Sequence, residues 1–467
     1  MTLKPLFFLL GAIFVVSLAF SFAAHISPHA DAKAYNHISW NLARGLGYLE
    51  NEKLAATPEK DDAIIRVGPG YEFFLAGIYT FFQNSAERIY GEDVYKYEPA
   101  WRAVWIVHAL LRALTAFFLF KIALLLFPHH PKKEWIGLTT AALFGFFPDL
   151  ILINAFLLYE TLLLFLGVAA VYFSLKALSR PNIQCFQSTS NVGSASLFWA
   201  LAILTRPSEL LPFLIFPIAL FLAKQKMRFV ALSFLFPVLL VGGWSLRNSL
   251  LYDQPLFTTT AGAYALWVGN NEYATGGYDR PPELREARSQ YHSTELSRIS
   301  IQNVKKFVVE QPSAFFKLQF KKTVQYVSLI RPTGFWLEFE NAPGKRFIIV
   351  ISSALATAFL FIAGAAGIFK AWKQKNSLLL TFFGFLLAKP FAVIPFYVET
   401  RYRYSLYPLV AIMAAFFVIN LVTSSQRATF IQILAGAFAA FLVIASIDAW
   451  FSLPIILNRL PILLGVL

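Results

Sequence analysis

The chain has a single cysteine, Cys185, so no internal disulfide and no cysteine-based metal cluster can form. Charge is also scarce. Asp, Glu, Lys and Arg make up 14% of the residues, where ordinary soluble domains carry about a quarter. No Asn-x-Ser/Thr triplet occurs in the 467 residues, which favours a bacterial source. No fixed-period repeat and no low-complexity linker is present.

What fills the chain instead is apolar. Hydrophobic residues are 57% and aromatic residues 17% of the total, with 49 Phe. The mean hydropathy is +0.59. A soluble fold of this length could not bury so much apolar surface, and a disordered chain would not carry it. Apolar runs long enough to cross a bilayer recur along the whole length, which predicts an all-α polytopic membrane protein. The net charge of +14 comes from 40 basic and 26 acidic residues. In such a chain it marks cytoplasmic loops rather than a nucleic-acid-binding surface.

The runs predict about eleven spans: 5–24, 101–127, 135–147, 160–178, a hairpin over 196–223, 229–244, 347–370, 377–397, 406–422 and 430–450. Residues 453–467, broken by Pro454 and Pro461, are a candidate twelfth. The hairpin follows from length and charge. Its 28 residues would make ~42 Å of helix, too long for one span, and both flanks are basic. The turn belongs at Thr205-Arg206-Pro207-Ser208, where proline breaks the helix. The first run is longer than the core of a cleavable signal peptide and reads as an uncleaved anchor. Lys4 then places the N-terminus in the cytoplasm. An N-terminal membrane module covers 1–244, with a first outer loop at 25–100. A mainly helical extracytoplasmic domain covers 245–345, and a C-terminal membrane module covers 346–467. Within the first loop, 71–82 is too short to cross and reads as an interfacial or re-entrant helix. Within the polar domain, one helix is expected from Pro282 to about Glu310 and an amphipathic one after Pro312. The second is expected to lie along the membrane surface, with Phe315, Phe316, Phe320, Val324 and Val327 on one face and Lys317, Lys321 and Lys322 elsewhere.

On this topology the chemically active side chains collect at one face. They include His29, Asp31, Tyr35, His37 and Arg66 of the first loop, Asp149 and Glu160 of the second, and Arg206 and Glu209 of the hairpin turn. Arg247 and the run Glu399-Thr-Arg401-Tyr-Arg403-Tyr follow. Arginines grip phosphate in a fork, and a carboxylate can take a proton from an attacking hydroxyl. The commoner role of such arginines is to anchor spans at headgroup level. Glu160 is harder to set aside, because it opens an apolar span. Arg112 and Lys389 lie inside spans, where charges either serve function or pair structurally. His29, Asp31 and His37 do not have the spacing of a recognised zinc motif.

Seven stretches, in order, resemble the GT-C membrane glycosyltransferases, in particular the bacterial protein O-mannosyltransferase-like and aminoarabinose-transferase-like group. They are Asp31-Ala-Lys-Ala-Tyr35 with Asn41-Leu-Ala-Arg-Gly45-Leu-Gly-Tyr48, Arg66-Val-Gly-Pro-Gly-Tyr71, and Pro148 with Leu158-Tyr-Glu160-Thr-Leu. Then come Leu204-Thr-Arg206-Pro207, Trp244-Ser-Leu-Arg247-Asn248, Val268-Gly269-Asn270-Asn271 at the end of a stretch from Thr260, and Arg401-Tyr-Arg403-Tyr-Ser-Leu-Tyr-Pro408. Two positions depart from the group's pattern: Ala32 replaces a second acid after Asp31, and Ser405 replaces a proline.

The resemblance implies a GT-C fold in a bacterial cytoplasmic membrane, with the active site on the extracytoplasmic side. It implies a sugar donor linked to polyprenyl phosphate and a hydroxyl acceptor on a lipid, protein or polysaccharide. Asp31 is then the expected general base, with Glu160 as a second acid. Arg66, Arg401, Arg403 and Lys389 are the expected phosphate ligands, and Tyr35, Arg206, Arg247, Asn270 and Asn271 are further candidates. Phosphate is a good leaving group, so the chemistry requires no cofactor, while a divalent metal stays open, with Glu160 either orienting the acceptor or holding that metal. A transporter or flippase is the rival class; it predicts internal repeats and polar residues at the bilayer midplane.

Overall fold

A computed structural model describes residues 4–49, 68–85, 98–179, 185–291, 293–329, 343–374 and 376–464. All regular structure among them is helical. The chain opens on the uniformly apolar α1 (Lys4–Ala24). It then folds through α2 (Asp31–Ala43) and α3 (Gly70–Tyr79), which pack on each other. Next come α4 (Glu98–Leu126), α5 (Lys133–Gly145) and α6 (Pro148–Asn154), then α7 (Glu160–Leu178), α8 (Cys185–Thr205) and α9 (Leu210–Leu222). A broken helix follows, α10 (Met227–Ser233) and α11 (Gly242–Tyr252), with a π-turn at Pro237–Val241 where proline cannot donate to the ladder. The polar block holds α12 (Ala261–Val268), α13 (Pro282–Gln290), α14 (Ser293–Glu310) and α15 (Pro312–Tyr326). The last four helices are α16 (Pro343–Trp372), α17 (Ser377–Val393), α18 (Tyr407–Thr423) and α19 (Arg427–Leu464).

The chain is an all-α polytopic membrane protein. Phe8 on α1 and Trp450 on α19 are 82% and 77% exposed, on faces that only lipid would cover. Among the described residues six helices are long and apolar enough to cross a bilayer, or seven if α5 and α6, bent by 56°, form one broken span. The count of eleven therefore rests on the sequence. α9, α17 and α18 are apolar but shorter, and α8 is long with a polar first half. The hairpin break falls as expected, with α8 ending at Thr205 and a short 3-10 turn starting at Pro207.

Three expectations are corrected. Residues 453–464 form no separate span but continue α19 through Pro454, giving a 38-residue helix. The helix expected over 282–310 is two, α13, which is capped at Tyr291, and α14, which starts at Ser293. On α15, Phe316 and Phe320 are exposed as an amphipathic face, but Lys322 is fully buried.

α7 and α18 form the centre. α7 packs on α4 and α8, and α18 packs on α5 and α16. Arg112, inside α4, serves the fold. Its guanidinium donates to the carbonyls of Gly145 (2.9 Å) and Phe144 (3.3 Å) at the end of α5. At the bend the helical ladder ends, with the Phe144 carbonyl keeping only a 3.3 Å contact from the Phe147 N–H, so the charge answers these carbonyls where no water can.

Candidate active site

Two glycines bring the walls of the site together. At Gly70 a Cβ would lie 2.8 Å from Thr205 Cα, so the start of α3 sits directly on the end of α8. At Gly269 a Cβ would collide with the carbonyl of Phe396, so the polar block rests on the segment between α17 and α18. Above these contacts lies a cavity of about 540 Å³, within the usual range for a small-molecule site. α2 and α3 supply Asp31, Tyr35, Tyr71 and Glu72. Tyr159 comes from the end of the second loop, Arg206 from the hairpin turn, Thr258–Thr260 from the polar block, and Tyr397, Arg401 and Tyr402 from the 394–403 segment.

Arg401 is the hub of an acidic cluster. Its Nη2 donates to Asp31 Oδ2 at 2.6 Å, and its Nε donates to Glu399 Oε2 at 2.9 Å. Glu160 Oε1 lies 3.8 Å from Nε. Burial alone would lower the Arg401 guanidinium, but Tyr402, Glu399 and Glu160 outweigh it and hold it well above its ordinary value. Arg401 therefore stays charged. Asp31 is half exposed, and its Oδ1 takes no hydrogen bond among the described residues. Glu160 is buried, and its two oxygens take no hydrogen bond there.

Arg206 is placed differently. Its guanidinium lies 4.1 Å from the ring centre of Tyr402 and 5.8 Å from that of Tyr159. No carboxylate among the described residues forms an ion pair with it. The Tyr402 ring is held by its hydroxyl, which is 3.0 Å from that of Tyr397. Burial pushes the Tyr402 hydroxyl well up, so it stays protonated.

Of the residues expected from sequence, Asp31, Tyr35, Arg206 and Arg401 line the cavity, and Glu160 joins them through Arg401. Arg66 lies outside the described residues. The others stand apart. Lys389 is buried on α17 and paired with Glu209 at 2.5 Å. Arg403 is buried and donates to the carbonyls of Ser328 and Tyr326, while the Ser328 hydroxyl binds Asp448. Arg247 donates to Asn248 Oδ1 at 2.9 Å and stacks on Trp244. Asn270 donates to the carbonyls of Leu266 and Pro395, and Asn271 to those of Trp267 and Val268. Asp149 takes the hydroxyl of Ser353.

Asn270 belongs to a larger clamp. Lys322 Nζ donates to Asn270 Oδ1 (3.0 Å) and to the carbonyls of Gly269 (3.1 Å), Pro395 (3.1 Å) and Phe396 (2.8 Å). This buried ammonium fixes the segment that carries Tyr397 and Arg401. Sequence reasoning missed Lys322, Tyr278 and Tyr397, which lie outside the seven stretches, and Tyr159, which lies within the third but was not singled out. Among the described residues no three His, Cys, Asp or Glu side chains group closely enough to hold a metal ion.

No protein-family model and no curated protein matches the chain. It is similar to a solved oligosaccharyltransferase of Archaeoglobus fulgidus, in complex with Zn and sulfate, at 13% identity over 94% of this chain and 53% of that one, with a TM-score of 0.48. It is similar to the oligosaccharyltransferase AglB from Archaeoglobus fulgidus, in complex with an inhibitory peptide and a dolichol-phosphate, at 13% identity over 95% and 56% of the two chains, with a TM-score of 0.49. ArnT from Cupriavidus metallidurans, bound to undecaprenyl phosphate, is 14% identical over 99% of this chain and 74% of that one, with a TM-score of 0.47. The chain spans a little over half the length of the two oligosaccharyltransferase chains.

Proposed function

We propose that the chain is a GT-C-type glycosyltransferase of a bacterial cytoplasmic membrane. On this reading it moves a sugar from polyprenyl phosphate to a hydroxyl acceptor at the extracytoplasmic face. The observation that carries the proposal is one cavity that holds both a carboxylate, Asp31, whose Oδ1 takes no hydrogen bond among the described residues, and an arginine, Arg206, that forms no ion pair among them. The motif order of the sequence supports it, since six of the seven stretches contribute to the walls of that cavity, through Asp31, Tyr71, Tyr159, Arg206, Thr260 and Arg401.

The acceptor oxygen attacks the anomeric carbon on the face opposite the phosphate. A carbon–oxygen bond to the acceptor forms as the bond to phosphate breaks, which inverts the centre. The acceptor proton passes to Asp31 Oδ1. Polyprenyl phosphate departs with the bonding electrons, and its charge meets Arg206. Arg401 orients Asp31 through Oδ2, while Glu160 and Glu399 hold Arg401 in place. Arg206 thus takes the phosphate role first expected of Arg401.

The test is incubation of the purified protein with a polyprenyl-phosphate hexose, radiolabelled in the sugar, and a membrane extract. Label leaving the donor for an acceptor, with matching release of polyprenyl phosphate, is expected. A donor left intact at every acceptor concentration would refute the proposal.

A further inference from the structure

Aromatic rings run from Arg206 into the polar block. The Tyr402 ring, 4.1 Å from Arg206, lies 5.6 Å from Tyr397, and Tyr397 lies 5.0 Å from Tyr278. Arg280 closes the far end, 5.1 Å above Tyr278. The three tyrosines line the cavity and none of them is fully buried. Thr258, Thr259 and Thr260 line the same space.

We infer that this ladder is an acceptor subsite for a saccharide, so that the acceptor hydroxyl belongs to a glycan. The inference rests on the transferase reading above. Its first step is positional. The donor's lipid must remain in the bilayer, and on that reading its phosphate sits at Arg206. Tyr397 and Tyr278 lie one and two rings beyond the tyrosine that Arg206 covers, toward the polar block. What occupies them is therefore the partner that arrives from the aqueous side.

The second step is chemical. A pyranose has a flat face of C–H bonds and a rim of hydroxyls. A tyrosine ring takes the face, and its phenol, a threonine hydroxyl or a guanidinium takes the rim. A peptide would instead be held by its backbone along a strand edge, by a helix-binding groove or, if proline-rich, on aromatic rings without the hydroxyl rim that the threonines offer here. The described residues contain no strand. Glu399, the carboxylate that acts on Tyr397 and Tyr402 of the ladder, is taken up by Arg401 rather than offered to a basic peptide.

The test uses the full chain in proteoliposomes with a radiolabelled polyprenyl-phosphate hexose. Membrane extract is supplied after exhaustive proteolysis, or after periodate oxidation and borohydride reduction. Acceptor activity that survives the protease and is lost on periodate treatment is expected. Activity lost to the protease and resistant to periodate would overturn the glycan acceptor while leaving the transferase intact. No release of polyprenyl phosphate from untreated extract would overturn both. Tyr278→Ala should raise the acceptor KM about tenfold without changing the donor Kd, and Tyr278→Phe, which keeps the ring, should recover most of that. An unchanged acceptor KM in Tyr278→Ala would contradict the subsite.

Discussion

The pair of Glu209 and Lys389 decides where Arg206 stands, and a double-mutant cycle tests it. The two charges meet at 2.5 Å, and their side chains are 3% and 5% exposed. Glu209 lies on the turn that carries Arg206, and Lys389 lies on α17, which leads into the segment carrying Arg401. Lys389→Met leaves a buried carboxylate without its cation, and Glu209→Leu leaves a buried ammonium without its anion. Breaking such a pair from one side costs about 3–5 kcal/mol, whereas replacing both charges by apolar side chains of similar volume is often neutral or stabilising. The two single losses should therefore not add, and the coupling should reach about 3 kcal/mol or more. Reversible unfolding in mixed dodecylmaltoside and SDS micelles, followed by tryptophan fluorescence, reads the cycle. Donor affinity is measured on the same four proteins. It should fall in the single variants and recover in the double variant as the turn regains its place. Additive stability losses would refute the pairing. Donor affinity that falls with Lys389→Met and stays low in the double variant, at near-normal stability, would make Lys389 a phosphate ligand.

Arg206→Ala should weaken donor binding about ten- to a hundredfold, since a charge-assisted contact contributes about 1.5–3 kcal/mol, and Arg206→Lys should recover part of it; binding of a labelled polyprenyl phosphate reads this. Lys322→Met takes the ammonium donor from the buried Gly269 and Phe396 carbonyls, while Asn270 Oδ1 keeps Gln319 and the Pro395 carbonyl keeps Asn270, and should destabilise the protein by about 3 kcal/mol, lowering kcat with it because the 394–403 segment loses its clamp. Normal stability with normal kcat would remove Lys322 from the account.

Much of the membrane bundle was legible because an apolar run, a basic flank and a proline each act locally. α7 starts at Glu160 and the hairpin breaks at Arg206-Pro207, as those signals require. Pro454 misled, because a proline costs one hydrogen bond and a long apolar helix can absorb the loss. The break at Tyr291 carries neither glycine nor proline to announce it. In the site, sequence separates cations poorly. Arg401 meets Asp31 across 370 positions and Lys389 meets Glu209 across 180. Which arginine keeps its charge for a ligand follows from those tertiary pairs. Spacing marked Arg206, Arg401 and Arg403 alike, and packing distinguishes them. Lys322 read as a surface lysine on an amphipathic helix until the Gly269-Asn270 turn buried it.

The most direct test of the account is single-turnover transfer from a saturating polyprenyl-phosphate sugar by wild type and Asp31→Asn, with donor binding measured separately. Asn keeps the size of Asp and can still meet Arg401, but it cannot take the acceptor proton. Loss of a general base typically slows the chemical step by 10²–10⁴-fold. The account predicts unchanged donor affinity with transfer slowed at least a hundredfold. Transfer by Asp31→Asn at close to the wild-type rate would contradict it.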